Sequence, residues 1–174
     1  GLTPNRMDAM SHLGVAKDVC AWLNHHDKVN AQVKFPYKNG FKTDATVAAV
    51  QVEIKNPEAC SRYAGVSLTN IKVAESPDWL KNKLKAIGLK PINNIVDISN
   101  FILHETGQPI HIFDQEKIAE NKIIVKTAEE NSLFTTLDEK ERKLSASDLV
   151  IADATGPMCI AGVYGGLNSG VTDT

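Results

Sequence analysis

The apolar residues of this chain change their spacing along its length, and that change limits the fold more than any single residue does. In "SHLGVAKDVCAWLN", Ser11 to Asn24, the residues Leu13, Val15, Ala16, Val19, Cys20 and Leu23 recur at helical spacing, with Ser11 available as N-cap. Thr3, Pro4 and Asn5 favour a turn just upstream. A second helix is expected to open at Ser76 with Pro77 at its first position and to run through "DWLKNKLKAIG" to a stop at Gly88. Leu80, Leu84 and Ile87 form its buried stripe, and Lys81, Lys83 and Lys85 read as a solvated face. A third helix runs from about Ile95 to about Thr106, with Asn93 or Asn94 as N-cap and Gly107 as terminator.

Elsewhere the period is two. "VAAVQVEI" and "YAGVSLTNIKV" alternate apolar with polar residues, are rich in β-branched side chains and read as strands. "KIIVKT", "SLFTTLDEKERKLSASDLVIAD" and "PMCIAGVYGG" read the same way, with Asp138 to Glu141 as a hairpin turn. Helices early and a run of strands later predict an α+β domain, a layered β-sheet sandwich with flanking helices, preceded by a short helical segment. The polar stretch 24–46, with Pro36 and Gly40, reads as a linker, so the main domain is expected to start at Val47 and continue to Thr174.

At 174 residues and 43% hydrophobic content the chain can bury one real core. A formal charge of -2 gives no general attraction to nucleic acid or to an acidic membrane, so any RNA contact must come from a local patch or from other chains. Cys20, Cys60 and Cys159 are odd in number, far apart and without metal-ligand spacing, which fits a reducing cytosol. No stretch approaches the apolar length that spans a bilayer. The start, "GLTPNRMDAM", has neither the layout of a signal peptide nor an initiating Met, and reads as the beginning of an excised piece.

Chemistry-bearing side chains concentrate in "SNFILHETGQPIHIFD", Ser99 to Asp114. At about 100° per residue, Ile95, Val96, Ile98, Phe101, Ile102 and Leu103 cover more than half of the third helix, while Asp97, Asn100 and His104 share one seam. The helix is therefore expected to be mostly buried, and the seam must meet either water in a cleft or other polar groups. His104 and Glu105 lack the second histidine four residues on that a helical zinc site needs, and His111 lies beyond the Gly107 break. No serine or cysteine sits in a GxSxG elbow. What remains is His111, on a turn fixed by Pro109 and followed by Asp114, which either braces the fold or positions a substrate or water near Asn100. "CIAGVYGGLNSG" holds Gly162, Gly165, Gly166 and Gly170, which permit positive φ or close approach of a ligand to the backbone; turn formation alone also accounts for them.

"PINNIVDISNFILHETGQPIHIFD", "LVIAD" and "AGVYGG" together resemble the B3/B4 region of the bacterial phenylalanyl-tRNA synthetase β subunit, and "TPNRMDAMSHLGVAKDV" resembles the end of its B1 region. The similarity runs in order from Leu2 to Thr174. It implies an editing module that hydrolyses tyrosine wrongly esterified to tRNA(Phe), away from the aminoacylation site. By motif, the implied catalytic positions are His111, from "QPIHIFD", and Asn100, from "DISN", which hold the terminal adenosine, the ester and the attacking water. Ala161, Gly162 and Gly165, from "AGVYGG", are the implied amino-acid pocket, and a cleft shared by Asn100 and His111 with Gly162 at its wall is expected. The resemblance implies no cofactor in this stretch, ATP and magnesium in the parent ligase, the tRNA(Phe) acceptor end and an α subunit as partners in a heterotetramer, and a cytoplasmic location. His104 stands where the family is expected to carry an aliphatic residue, and the family's acidic reader of the tyrosine hydroxyl is expected beyond Thr174. The alternatives are a free-standing domain that deacylates tRNA in trans and a docking module without activity of its own.

Overall fold

The computed structural model describes residues 1–35, 37, 40–43 and 49–171. Its contacts divide the chain into two compact units, Gly1–Thr43 with Ala74–Ile110, and Asp44–Val73 with His111–Thr174.

The first unit is helical. α1 (His12–His26) starts at Ser11, whose Oγ accepts the Gly14 N–H at 3.0 Å. Gly14 is buried because the preceding 3-10 turn (Met7–Ala9) lies on it: a Cβ there would come within 2.5 Å of the Asp8 carbonyl oxygen. α2 (Asp78–Ala86) starts one residue later than expected, with Pro77 as N-cap. Ser76 does not cap it; its hydroxyl donates instead to Asp97 Oδ2 at 2.5 Å. Leu80 and Leu84 are buried as predicted, but Ile87 is 48% exposed because it follows the last helical turn as C-cap. Lys81 pairs with Glu75 and Asp78, and the Lys83 ammonium lies 5.8 Å from the Phe101 ring centroid. Trp79 meets the same ring edge-to-face at 5.6 Å.

α3 (Asn94–Thr106) has the predicted ends. Asn93 Oδ1 accepts the Ile95 and Val96 N–H groups, and Gly107 closes the helix at φ +79°, returning its N–H to the Leu103 carbonyl. The expectation of a mostly buried helix is not met. Ile98 is 42% exposed and Leu103 36%, because apolar side chains spread over more than half a cylinder outnumber the neighbours that α1 and α2 supply.

The second unit is built on a five-stranded sheet of β1 (Gln51–Ile54), β2 (Lys122–Thr127), β5 (Leu149–Ala152), β6 (Pro157–Ile160) and β7 (Tyr164–Gly165), in the order β1-β2-β5-β6-β7. β1 and β2 run parallel and the other pairs antiparallel. β3 (Leu133–Thr135) and β4 (Glu141–Lys143) form a separate hairpin. The molecule is thus α+β, as its periodicities predict. Two apolar clusters flank the sheet. One gathers Ile118, Ile123, Val125, Ile151, Met158 and Cys159; the other brings Phe134 and Leu144, from the hairpin and just beyond it, against Val150 and Ala152. Alternate residues of β5 therefore serve opposite clusters, the behaviour of a strand covered on both faces.

Two strand expectations change. Of "VAAVQVEI" only Gln51–Ile54 form β1, and Val47 and Ala48 lie outside the described residues. "YAGVSLTNIKV" is not a strand; it joins no ladder among the described residues, it bends at Asn70 with φ +58°, and Val66, Leu68 and Ile71 are 62%, 68% and 52% exposed. Alternation specifies an extended backbone, but a strand also needs a neighbour to pair with.

Candidate active site around His111

His111 opens the second stretch of the sheet unit, in extended chain that leads into the 3-10 turn Gln115–Lys117. Asp114 caps that turn, its Oδ1 accepting the Glu116 N–H at 3.1 Å. In "HIF" His111 and Phe113 stand two residues apart, and their rings meet at 4.3 Å between centroids, tilted by 47°. Phe113 packs on the larger apolar cluster, which anchors the histidine to the core.

The opposite edge of the imidazole rests on Gly165. A Cβ built there would lie 2.9 Å from His111 Cε1 and 3.5 Å from Nε2, and also 2.9 Å from Leu137 Cδ1. Although the residue is exposed as a whole, these neighbours partly strip its ring of water, and desolvation lowers its pKa below the ordinary histidine value. The lowered pKa favours the uncharged ring, able to accept a proton through one nitrogen while the other donates.

The glycines of "AGVYGG" have distinct causes. Gly162 turns the chain after β6 at φ +70°, with the Val163 N–H returning to the Ile160 carbonyl at 3.0 Å. Ala161 precedes it, donates its N–H to the Leu149 carbonyl and packs on the core. Gly165 and Gly166 answer to space: a Cβ on Gly166 would lie 2.6 Å from the Met158 carbonyl oxygen and 2.8 Å from Phe134 Cζ. Of the residues singled out in the sequence, the structure thus brings His111 and Gly165 together. Phe113 and Leu137 complete that cluster. Neither was singled out in the sequence: the spacing of Phe113 to His111 is a signal that could have found it, whereas Leu137, from a distant hairpin, left no local signal.

The polar seam of α3 resolves differently for each member. Asp97 is fully buried and structural, accepting from the Ser76 hydroxyl and from the Ile92 N–H at 2.9 Å. His104 is exposed. Asn100 is half-buried on α3 in the helical unit, and among the described residues its side chain has no hydrogen-bond partner.

Cys159 is buried, and burial pushes its thiol up to about 11, which keeps it protonated and unreactive. Among the described residues no group of three or more His, Cys, Asp or Glu side chains is placed to hold a metal ion.

Residues 59–174 match the model of the B3/4 domain. The chain belongs to the B3/4 domain family. It is 52% identical over 172 residues to the phenylalanine–tRNA ligase beta subunit of Bacteroides thetaiotaomicron, covering 99% of this chain and 21% of that protein. The same subunit of Porphyromonas gingivalis is 51% identical over 173 residues and that of Carboxydothermus hydrogenoformans 47% over 172, with the same coverage. This B3/4 chain therefore spans about a fifth of the length of the curated relatives it matches. No helix among its described residues is long and apolar enough to cross a membrane.

Proposed function

We propose that this B3/4 chain is the editing region of a phenylalanine–tRNA ligase beta subunit and hydrolyses tyrosine wrongly esterified to tRNA(Phe). The observation that carries the reading is the match to such subunits along 99% of the chain, which takes in every motif of the proposed site. A pocket shaped for an apolar ring cannot strongly reject a near-isostere that adds one hydroxyl, so a ligase of this kind needs a second, hydrolytic site.

In the proposed reaction a water attacks the ester carbonyl, the bond from that carbon to the ribose oxygen breaks, and the ribose oxygen takes a proton as free tyrosine leaves. An uncharged His111 suits the first step, holding the water through one ring nitrogen and drawing off its proton. Asn100 enters on its motif, "DISN", as a side-chain amide free to hydrogen-bond the ester or the terminal adenosine. Ala161 and Gly162 supply the wall of the amino-acid pocket. The partners in this proposal are the tRNA(Phe) acceptor end and the ligase α subunit, in the cytoplasm, with ATP and magnesium serving the ligation reaction outside this stretch.

The test is release of tyrosine from Tyr-tRNA(Phe) by the whole ligase carrying this region. His111→Ala is expected to slow release by about 10²-fold or more, with phenylalanine attachment almost unchanged. Equal loss of both activities, or no loss of release, would reject the assignment.

One observation favours a second reading, a docking module without activity. Val15, Val19 and Trp22 form an apolar stripe on α1 and are 42%, 50% and 54% exposed. Under that reading His111→Ala leaves release unchanged, while charged residues at Val19 and Trp22 weaken subunit assembly.

A further inference from the structure

We propose that Leu137 and Gly165 are positioning residues for His111, and that the tip of the β3–β4 hairpin, seated on β7, fixes the imidazole in its working orientation. The proposal rests on the reading of His111 as a participant in hydrolysis.

Three observations converge on it. Gly165 is not demanded by backbone conformation, since its φ is not among the positive values of the described glycines. It is demanded by the His111 ring edge and the Leu137 methyl, which both lie 2.9 Å from the point a Cβ would occupy. The absence of a side chain at Gly165 therefore leaves the room that the His111 ring edge and the Leu137 methyl both border.

Leu137 belongs to neither apolar cluster and is 51% exposed. Its position is nevertheless closely set. Its N–H donates to the Gly165 carbonyl at 3.0 Å, and two residues beyond Gly165 the Leu167 N–H donates to the Thr135 carbonyl at 3.1 Å. Between these bonds Thr136 is fully buried, its hydroxyl bonded to the Asp138 carboxylate and receiving the Arg142 Nε–H at 3.0 Å. Arg142 also donates to Asp138 at 3.0 Å and lies 5.6 Å from the Tyr164 ring centroid. A buried hydroxyl, an ion pair and two backbone bonds thus fix the hairpin tip on β7, where the Leu137 methyl and the His111 ring border the same Gly165.

Displacing a reacting group by about 1 Å can cost about 10²-fold in rate without loss of binding. The test uses Leu137→Ala, Leu137→Met and Gly165→Ala in the whole ligase for kinetics, and in the present chain for the His111 Cε1–H cross-peak in NMR. Leu137→Ala is expected to move that cross-peak and to lower kcat for tyrosine release about tenfold or more with KM within about twofold, and Gly165→Ala to move the cross-peak and lower release. Leu137→Met, which refills the space, is expected to restore both. An unmoved cross-peak in both variants overturns the proposal, as does a rise in KM with kcat unchanged, which would make Leu137 a substrate contact. If His111→Ala keeps full release while Leu137→Ala still moves the cross-peak, the hydrolytic reading falls and the positioning of the ring stands.

Discussion

Asp153 is 5% exposed and accepts four hydrogen bonds: Oδ1 takes the Thr155 N–H, the Thr155 hydroxyl and the Gly156 N–H, and Oδ2 takes the Ala119 N–H. Burial alone would raise its pKa, but the donors from Ala119, Thr155 and Gly156 outweigh burial and hold the carboxyl below its ordinary value. Asp153→Ala leaves three backbone donors without a partner and is expected to cost about 1–3 kcal/mol, read as a lowered urea midpoint with unchanged slope. The contributions of Asp153 and His111 to the acid response take their signs from the directions of their shifts. Asp153 contributes stability that is present above the unfolded carboxyl pKa near 3.8 and is lost as pH falls through the lower folded value. For His111 the unfolded chain takes a proton first, near pH 6.5, while the folded ring resists it, so stability falls from there down to the folded pKa. His111→Gln should therefore flatten the loss of stability that begins near pH 6.5 and leave the loss below the carboxyl value near 3.8 intact, a difference that urea melts at successive pH values measure.

Where an element's ends depend on neighbouring residues, the sequence was enough. Ser11, Asn93 and Gly107 cap α1 and α3 as their side chains and φ preferences require. Where an element depends on a distant partner, it was not: 63–73 alternates like a strand without joining a ladder, and Ser76 leaves the start of α2 for Asp97 on α3. Close packing of backbone on backbone is also silent in a sequence, since every glycine looks alike. Gly14→Ala should be costly, about 1–3 kcal/mol, because the added carbon meets the Asp8 and Ala9 backbone of the preceding turn and not a flexible side chain. Gly156→Ala, with nothing within 4 Å and its N–H still free to reach Asp153, should change stability by less than about 0.5 kcal/mol. Thermal melts of the two variants side by side give the comparison.

For the whole molecule, a formal charge of -2 sets an expectation about RNA. Affinity of the isolated chain for unrelated RNA should be weak and should change little between about 50 and 200 mM salt, because few phosphates are neutralised. Fluorescence anisotropy with a labelled RNA measures it; a steep salt slope would reveal a basic patch that net charge conceals. The α+β class was legible because it depends on periodicity summed over many residues. His111 was legible as a histidine outside helix and metal spacing, whereas its surroundings were not, since Leu137 and Gly165 reach it through hairpin pairing far along the chain.

The parallel pairing of β1 with β2 joins Gln51–Ile54 to Lys122–Thr127 across residues 55–121, a stretch that includes α2 and α3. The other sheet contacts close over far shorter spans. During folding, β2, β5, β6 and β7 can zip together as successive antiparallel neighbours, whereas β1 has to wait for the ends of that long stretch to meet. The first strand in the sequence is thus expected to be the last to join the sheet. In pulsed hydrogen exchange, the amides that bridge β1 and β2 should gain protection after those between β5 and β6.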